Sequence, residues 1–377
     1  MKNQTLAVHA GTLKDEATGG VNTPIYTSSA CNYIDRPDAA YPRYFNTRNQ
    51  EAVGRKIAAL EHTETGLVFS SGMGAISTSI LAYAGAGDHL VMLDALYGGT
   101  HLFATQWFAH LGIDASFTPT NAQGVIDAVT EKTKVIVIES PTNPLLAVVD
   151  IEKIAQYARS KGIITIIDNT FASPVNQNPV DLGIDIVVHS GTKYLGGHSD
   201  LCCGMVACSH EKMEKILGLA RVLGPSLDPR ICYLLERSMK TLGLRVNAQT
   251  RNAGQVAQFL SAHPDVAKVY YPGLEDFEGH GIAKKQMHGF GAMLSFELRD
   301  IDPAAFVDAL EVISPAVSLG GVESTICPPS QTSHAEMTRS ERQRIGVTDA
   351  LLRLSIGLED AADLKQDLDN ALKKVNP

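Results

Sequence analysis

Short apolar runs separated by helical stretches place this chain in the α/β class: a large, mostly parallel sheet domain followed by a smaller C-terminal α+β domain. Two observations carry that expectation. Residues 67–69, 90–93, 135–138, 163–167, 186–188 and 205–207 are apolar runs, mostly unbroken rather than alternating. Strands covered on both faces read that way. Helical stretches, for example 74–84, 99–111 and 151–160, lie between most of them. From about residue 236 the pattern changes. Residues 269–271, 292–296 and 351–356 read as strands of a second sheet, and Leu364, Leu368 and Leu372 repeat at helical spacing.

The elements divide the chain into three parts. Residues 1–45 are rich in Thr, Ser, Asn, Pro and Tyr, show little periodicity, and read as an extended arm. Residues 46–235 form the large domain, where helical spacing starts with Val53, Ile57 and Leu60. Residues 236–377 form the smaller one.

Bulk properties exclude several classes of function. The 377 residues are 44% apolar and 19% charged, ordinary for a globular enzyme. A net charge of −9 argues against general nucleic-acid binding. No apolar run approaches the roughly 20 residues that span a bilayer. The first residues lack the apolar stretch of a signal peptide. Six cysteines without a CxxC pair, and twelve histidines without zinc spacing, predict free thiols in a reducing cytoplasm and no metal site. Walker A, GxGxxG, HExxH and GxSxG motifs are absent, which disfavours nucleotide, dinucleotide, zinc-protease and serine-hydrolase chemistry.

What remains is a set of polar residues at strand ends, where open α/β sheets bind ligands. Ser70-Ser71-Gly72-Met73-Gly74 lies between a strand and a helix. A helix N-terminus presents unpaired N–H groups to a phosphate, although a plain strand-to-helix turn would read the same. Tyr97-Gly98-Gly99-Thr100 offers an aromatic ring with clearance around it, or a tyrosine packed at a domain edge. Glu139-Ser140-Pro141-Thr142-Asn143-Pro144 is a loop stiffened by two prolines, whose Asn143 either fixes a ligand or caps backbone. One strand ends in Asp168-Asn169-Thr170 and another in Ser190-Gly191-Thr192-Lys193. An amine and a carboxylate at neighbouring strand ends suit pyridoxal phosphate (PLP). The lysine would form the Schiff base, and the aspartate would hold the pyridine nitrogen protonated. Ser190 and Thr192 add hydroxyl donors for a phosphate; capped turn residues are the plainer reading. Arg353, in an otherwise largely apolar strand, needs a ligand carboxylate or an internal acidic partner.

Taken in order, these segments resemble the Cys/Met-metabolism PLP enzymes, the cystathionine γ-synthase/γ-lyase family, from His9-Ala10-Gly11 to Arg353. The resemblance implies PLP fold-type I and a homotetramer of two dimers with shared active sites. It implies Lys193 as the Schiff-base lysine, Asp168 on the pyridine nitrogen and Tyr97 stacked on the ring. Gly72, Met73, Ser190 and Thr192 match phosphate ligands. Tyr41 and Arg43 match a pair that reaches the phosphate of the neighbouring subunit. Asn143, Ser318 and Arg353 match the groups around the substrate carboxylate and cofactor oxygen, and Glu323 the contact to the distal part of the substrate. The family often reads Tyr-Ser-Arg-x-x-Asn-Pro-Thr in the arm, where this chain has Tyr41-Pro42-Arg43-Tyr44-Phe45-Asn46-Thr47-Arg48. The phosphate pair is kept and the loop after it is altered.

The activity implied is transsulfuration, making or breaking the C–S bond of cystathionine. The substrate is then a sulfur amino acid or an activated homoserine. Lys193 and Tyr97 are the expected proton-transfer groups. Residues 318–324 are similar to the γ-acting branch, and the only tryptophan, Trp107, lies elsewhere. Gly99 replaces the cysteine typical of methionine γ-lyases. Cystathionine β-lyase and O-acetylhomoserine sulfhydrylase are the nearest alternatives. An aminotransferase would be distinguished by keto-acid formation with an amino acceptor. A non-catalytic binding protein would fail to bind cofactor.

Overall fold

The computed structural model describes residues 1–34, 39–335 and 337–376. Seven strands form the large sheet: β1 (Thr65–Phe69), β2 (His89–Leu93), β3 (Asp114–Thr118), β4 (Thr133–Glu139), β5 (Ile164–Asp168), β6 (Ile186–Ser190) and β7 (Gly204–Cys208). Their order is β1-β7-β6-β5-β4-β2-β3. Strands β2 to β6 pair in parallel, whereas β7 runs antiparallel to both β1 and β6. Two reversals restore direction, so β1 points the same way as β6. The carboxyl ends of six strands therefore share one edge of the sheet. The unbroken apolar character of the strands has its cause here: Val91, Ile136, Ile166, Val187 and Val206 are all essentially buried between covering layers.

The second sheet has the order β10-β11-β12-β9-β8, from β8 (Val266–Tyr270), β9 (Met293–Leu298), β10 (Ser314–Pro315), β11 (Thr325–Cys327) and β12 (Leu351–Ser355). The C-terminal helix Ala361–Val375 covers it through Leu364, Leu368 and Leu372, each with no measurable exposure. The α/β class with a large, mostly parallel sheet and a smaller second sheet is as the sequence predicts.

Three local features differ from the sequence reading. The arm begins with a helix, Asn3–His9, rather than extended chain. Seven residues without a side-chain cap form a marginal helix alone. Tertiary contacts hold this one: the Lys56 ammonium donates to Ala7 O at 2.9 Å, and the Asn3 amide donates to Pro174 O at 3.3 Å. Strand β3, an edge strand of alternating pattern, carries no apolar run to mark it. The helices after β1 and β2 span Gly72–Leu81 and Gly98–Trp107, each starting earlier than its apolar periodicity. Glycines at the first turn hide the start.

The C-terminal helix is tied to the second sheet through one carboxylate. Buried Asp367 accepts the Glu311, Val312 and Ile313 N–H groups at 2.8 to 3.0 Å, just ahead of β10. Asp367→Ala leaves three amides without their acceptor and is expected to lower unfolding stability by about 3 kcal/mol, measured by urea titration.

Candidate active site

The shared strand edge frames a cavity of about 410 Å³. The large-sheet side of it is built from residues at or after strand ends. After β1, Ser71 caps the helix Gly72–Leu81 by accepting the Gly74 N–H at 3.0 Å. The Ala75 N–H begins the helical ladder on Ser71 O, so the Gly72 and Met73 N–H groups stay ahead of it at the positive end of the helix. Gly72 must be glycine: a Cβ there would lie 2.9 Å from Ser190 Cβ. The turn is thus pressed against the end of β6, and Gly72, Met73, Ser190 and Thr192 line one end of the cavity. The Thr192 hydroxyl also bonds the backbone of Cys203, which fixes its rotamer.

Tyr97 precedes the helix Gly98–Trp107 and is 46% exposed on the cavity rim. A Cβ on Gly99 would come within 2.7 Å of the Tyr97 ring and 2.9 Å of the Met73 sulfur. The second glycine therefore gives the ring its clearance.

Asp168 ends β5 and faces the cavity. Its Oδ1 accepts the Thr170 N–H at 3.0 Å and the Thr170 hydroxyl, and that hydroxyl in turn accepts the Ser190 N–H at 2.8 Å. Burial pushes the Asp168 pKa up, while the bonds from Thr170 and the charges of His189 and Lys193 pull it down. A cationic ring nitrogen would restore the ionised form. Lys193 projects into the same space and donates to Ser318 Oγ at 2.7 Å. Burial first, and the Arg353 charge second, lower its pKa to about 8. The neutral amine, the nucleophilic form, is thereby within reach near neutral pH.

The second sheet supplies the opposite wall. Arg353, 5% exposed, stands in the middle of β12 opposite Cys327 of β11. Its Nη1 donates to Asn143 Oδ1 at 3.0 Å, and its Nη2 to Ser318 O at 3.2 Å and Cys327 Sγ at 3.4 Å. These partners are neutral, so the guanidinium is oriented without being paired, as an anion-binding group would be. Ser318 holds a left-handed φ of +76° between Lys193 and Arg353. His334 is nearly buried behind this wall, and burial with the Arg353 charge lowers its pKa to about 4. It stays neutral at physiological pH.

The structure thus gathers ten predicted residues in one cavity: Gly72, Met73, Tyr97, Asn143, Asp168, Ser190, Thr192, Lys193, Ser318 and Arg353. Three others lie outside it. Arg43 donates to Arg221 O at 2.6 Å and covers the Tyr44 ring, with Tyr41 alongside, on the exposed surface. Glu323 is exposed and accepts the Ser199 hydroxyl at 3.3 Å. Sequence reasoning missed Thr170, Cys202, Cys327 and Ser333, which line the cavity or brace its walls. Thr170 was detectable as the hydroxyl two residues after Asp168. The other three carry no local signal.

A phosphate cradle at a helix start, a carboxylate, an amine and an aromatic ring around one cavity define a pyridoxal-phosphate enzyme of the α/β type. The residues present fit that cofactor, because the Gly72 cradle is open only for want of a Cβ. The chain belongs to the Cys/Met metabolism PLP-dependent enzymes, whose family model matches residues 4–373. It is 41% identical over 380 residues to a cystathionine gamma-lyase of Bacillus subtilis, covering 100% of both chains. It is 43% identical to a cystathionine beta-lyase of Coxiella burnetii, covering 98% of this chain and 97% of the other. Among solved structures, a cystathionine gamma-lyase from Lactobacillus plantarum complexed with L-serine superposes with a TM-score of 0.96 at 41% identity, covering 100% of both. A cystathionine gamma synthase from Xanthomonas oryzae pv. oryzae, in complex with aminoacrylate and cysteine, gives 0.96 at 37%, covering 100% of this chain and 99% of the other. Among the described residues, no helix is long and apolar enough to cross a membrane, and no His/Cys/Asp/Glu group could hold a metal ion.

Proposed function

We propose that the protein is a γ-acting carbon–sulfur enzyme of this family, cleaving cystathionine or forming it from an activated homoserine and cysteine. The observation that supports it most is the Lys193 amine, lowered to about 8 and set in one cavity with Asp168 and the neutral-partnered Arg353. Pyridoxal phosphate, when bound, supplies the electron sink for breaking bonds at Cα.

The chain's own residues do the rest. The Gly72 and Met73 N–H groups and the Ser190 and Thr192 hydroxyls hold the phosphate. Asp168 would keep the ring nitrogen protonated, and Tyr97 would offer its face to the ring. Arg353, aligned by Asn143 and the Ser318 carbonyl, takes the substrate carboxylate, which orients Cα toward Lys193. Lys193 binds the cofactor through its amine. With the cofactor in place, its free amine would accept the substrate Cα proton and, for γ chemistry, move a proton from Cβ. The Tyr97 phenol exchanges a proton with the substrate amine. Glu323 meets the distal end of a long substrate. The exposed Tyr41 and Arg43 serve the phosphate of a neighbouring subunit, which requires at least a dimer, and two such dimers make the homotetramer that the family resemblance implies. The unpaired cysteines suit a cytoplasmic setting.

A product assay tests the reaction. With cystathionine, the γ-lyase reading expects cysteine and 2-oxobutanoate; homocysteine and pyruvate would instead establish the β-lyase. With an activated homoserine ester and cysteine, the synthase reading expects cystathionine. Homocysteine with pyruvate, or no product from either mixture, refutes the proposal.

A further inference from the structure

Glu139 has a place in this site that the phosphate, ring and clamp residues do not account for. It ends β4 and pairs in register with Asp168 of β5, so two carboxylates stand side by side at the cavity floor. Glu139 is 4% exposed. Burial and the Asp168 charge both push its pKa well up, while two backbone N–H groups and Arg353 hold it down. Those N–H groups come from different loops. Oε2 accepts the Tyr97 N–H at 2.8 Å, and Oε1 accepts the Asn143 N–H at 2.9 Å. One loop carries Tyr97, whose ring is proposed above to meet the cofactor, and the other carries the amide that aligns Arg353.

We propose that Glu139 is a positioning residue for the reaction: its single carboxylate seats Tyr97 and Asn143 together, coupling ring stacking to substrate-carboxylate binding. The inference rests on the function proposed above. A carboxylate suits this task where an amide does not. It offers two acceptor oxygens, one for each N–H, whereas a glutamine offers one oxygen and turns an NH₂ donor toward the other N–H. Burying a charge beside Asp168 is unfavourable, so a group needed only to fill space would be better neutral. Both loops move with this one side chain, because each is fastened to it at the residue that faces the cofactor or its clamp.

Glu139→Gln tests the role, with a nearly equal side-chain volume. In the apoprotein, the affinity for pyridoxal phosphate is expected to fall about tenfold, read by titration, because Tyr97 loses its seat. In the cofactor-loaded protein, the visible absorption maximum should move, and KM for the amino-acid substrate should rise about tenfold. The KM effect should be absorbed by Asn143→Ala, so that the double variant resembles Asn143→Ala alone. The band displacement should persist in the double variant, because it arises through Tyr97. If Glu139→Gln does not fold, Glu139→Asp retains charge and both acceptors on a stem one methylene shorter, and the same changes are expected. Wild-type affinity, band and KM in the folded variant would overturn the proposal, as would a KM effect fully additive with Asn143→Ala. A wild-type protein that gains no visible band with pyridoxal phosphate overturns this inference and the function beneath it. A wild-type protein with the band and the expected products, beside an indifferent Glu139→Gln, removes the Glu139 role alone.

Discussion

Lys193→Met is expected to abolish the visible absorbance that the protein gains with pyridoxal phosphate and to reduce product formation by about 10⁴-fold or more. The amine is both the proposed attachment point and the proposed proton carrier, and among the described residues no other lysine lines the cavity. Spectral titration and a product assay read the two losses; a persisting visible band would mean that another residue holds the cofactor. Stability should move the opposite way. The Lys193 pKa falls from 10.5 to about 8 on folding. Between those values the unfolded chain binds a proton that the folded chain has released, so stability rises with pH across that window. Below it, the folded protein carries a charge disfavoured by burial and by Arg353. Methionine removes that charge. The variant apoprotein should therefore melt at a higher temperature than wild-type apoprotein at pH 7, with the difference narrowing from about pH 8 upward and closed above pH 10.5. Equal melting temperatures at pH 7 would contradict this account of the site.

Arg353→Met is the second large effect. It should raise KM for an amino-acid substrate by about 10²- to 10³-fold, equivalent to about 3–4 kcal/mol, while the visible band of the bound cofactor remains. The guanidinium sits among neutral partners, so its charge remains available to a ligand carboxylate. Its removal also lifts the second-largest influence that lowers the Lys193 pKa. That pKa should rise, leaving less neutral amine at pH 7 and slowing cofactor capture by the apoprotein. Stopped-flow mixing with pyridoxal phosphate measures the rate. A normal KM would remove Arg353 from substrate binding.

The parts of this fold that were legible in the sequence share a cause. Strands buried on both faces leave unbroken apolar runs, so 90–93 and 135–138 fall inside β2 and β4. The residues that complete β4, β5 and β6, namely Glu139, Asp168 and Ser190, are polar because they face the cavity. The five segments that end at or follow β1, β2, β4, β5 and β6 were readable for the same reason: each lies within a few residues of an apolar run. Strand direction was not legible, since an apolar run reads alike either way, and β7 is antiparallel. Nor was the short helix Asn3–His9, whose stability comes from Lys56 and Pro174 far along the chain. Cys327 became visible only through its register opposite Arg353, a pairing between strands that local pattern does not encode.

The reversal of β7 bears on the order in which the protein is completed. Its first residue, Gly204, is in register with Phe69 on one side and Ser190 on the other. As a growing chain leaves the ribosome, the turn at Ser71–Gly72 emerges early, but the strand that bridges it to β6 is made more than a hundred residues later. The proposed phosphate cradle is therefore a product of the middle of the chain, and Arg353 closes the far wall later still. Cofactor capture is placed late in the maturation of the polypeptide, after both sheets exist, and an incomplete chain exposes no finished cavity to the vitamin.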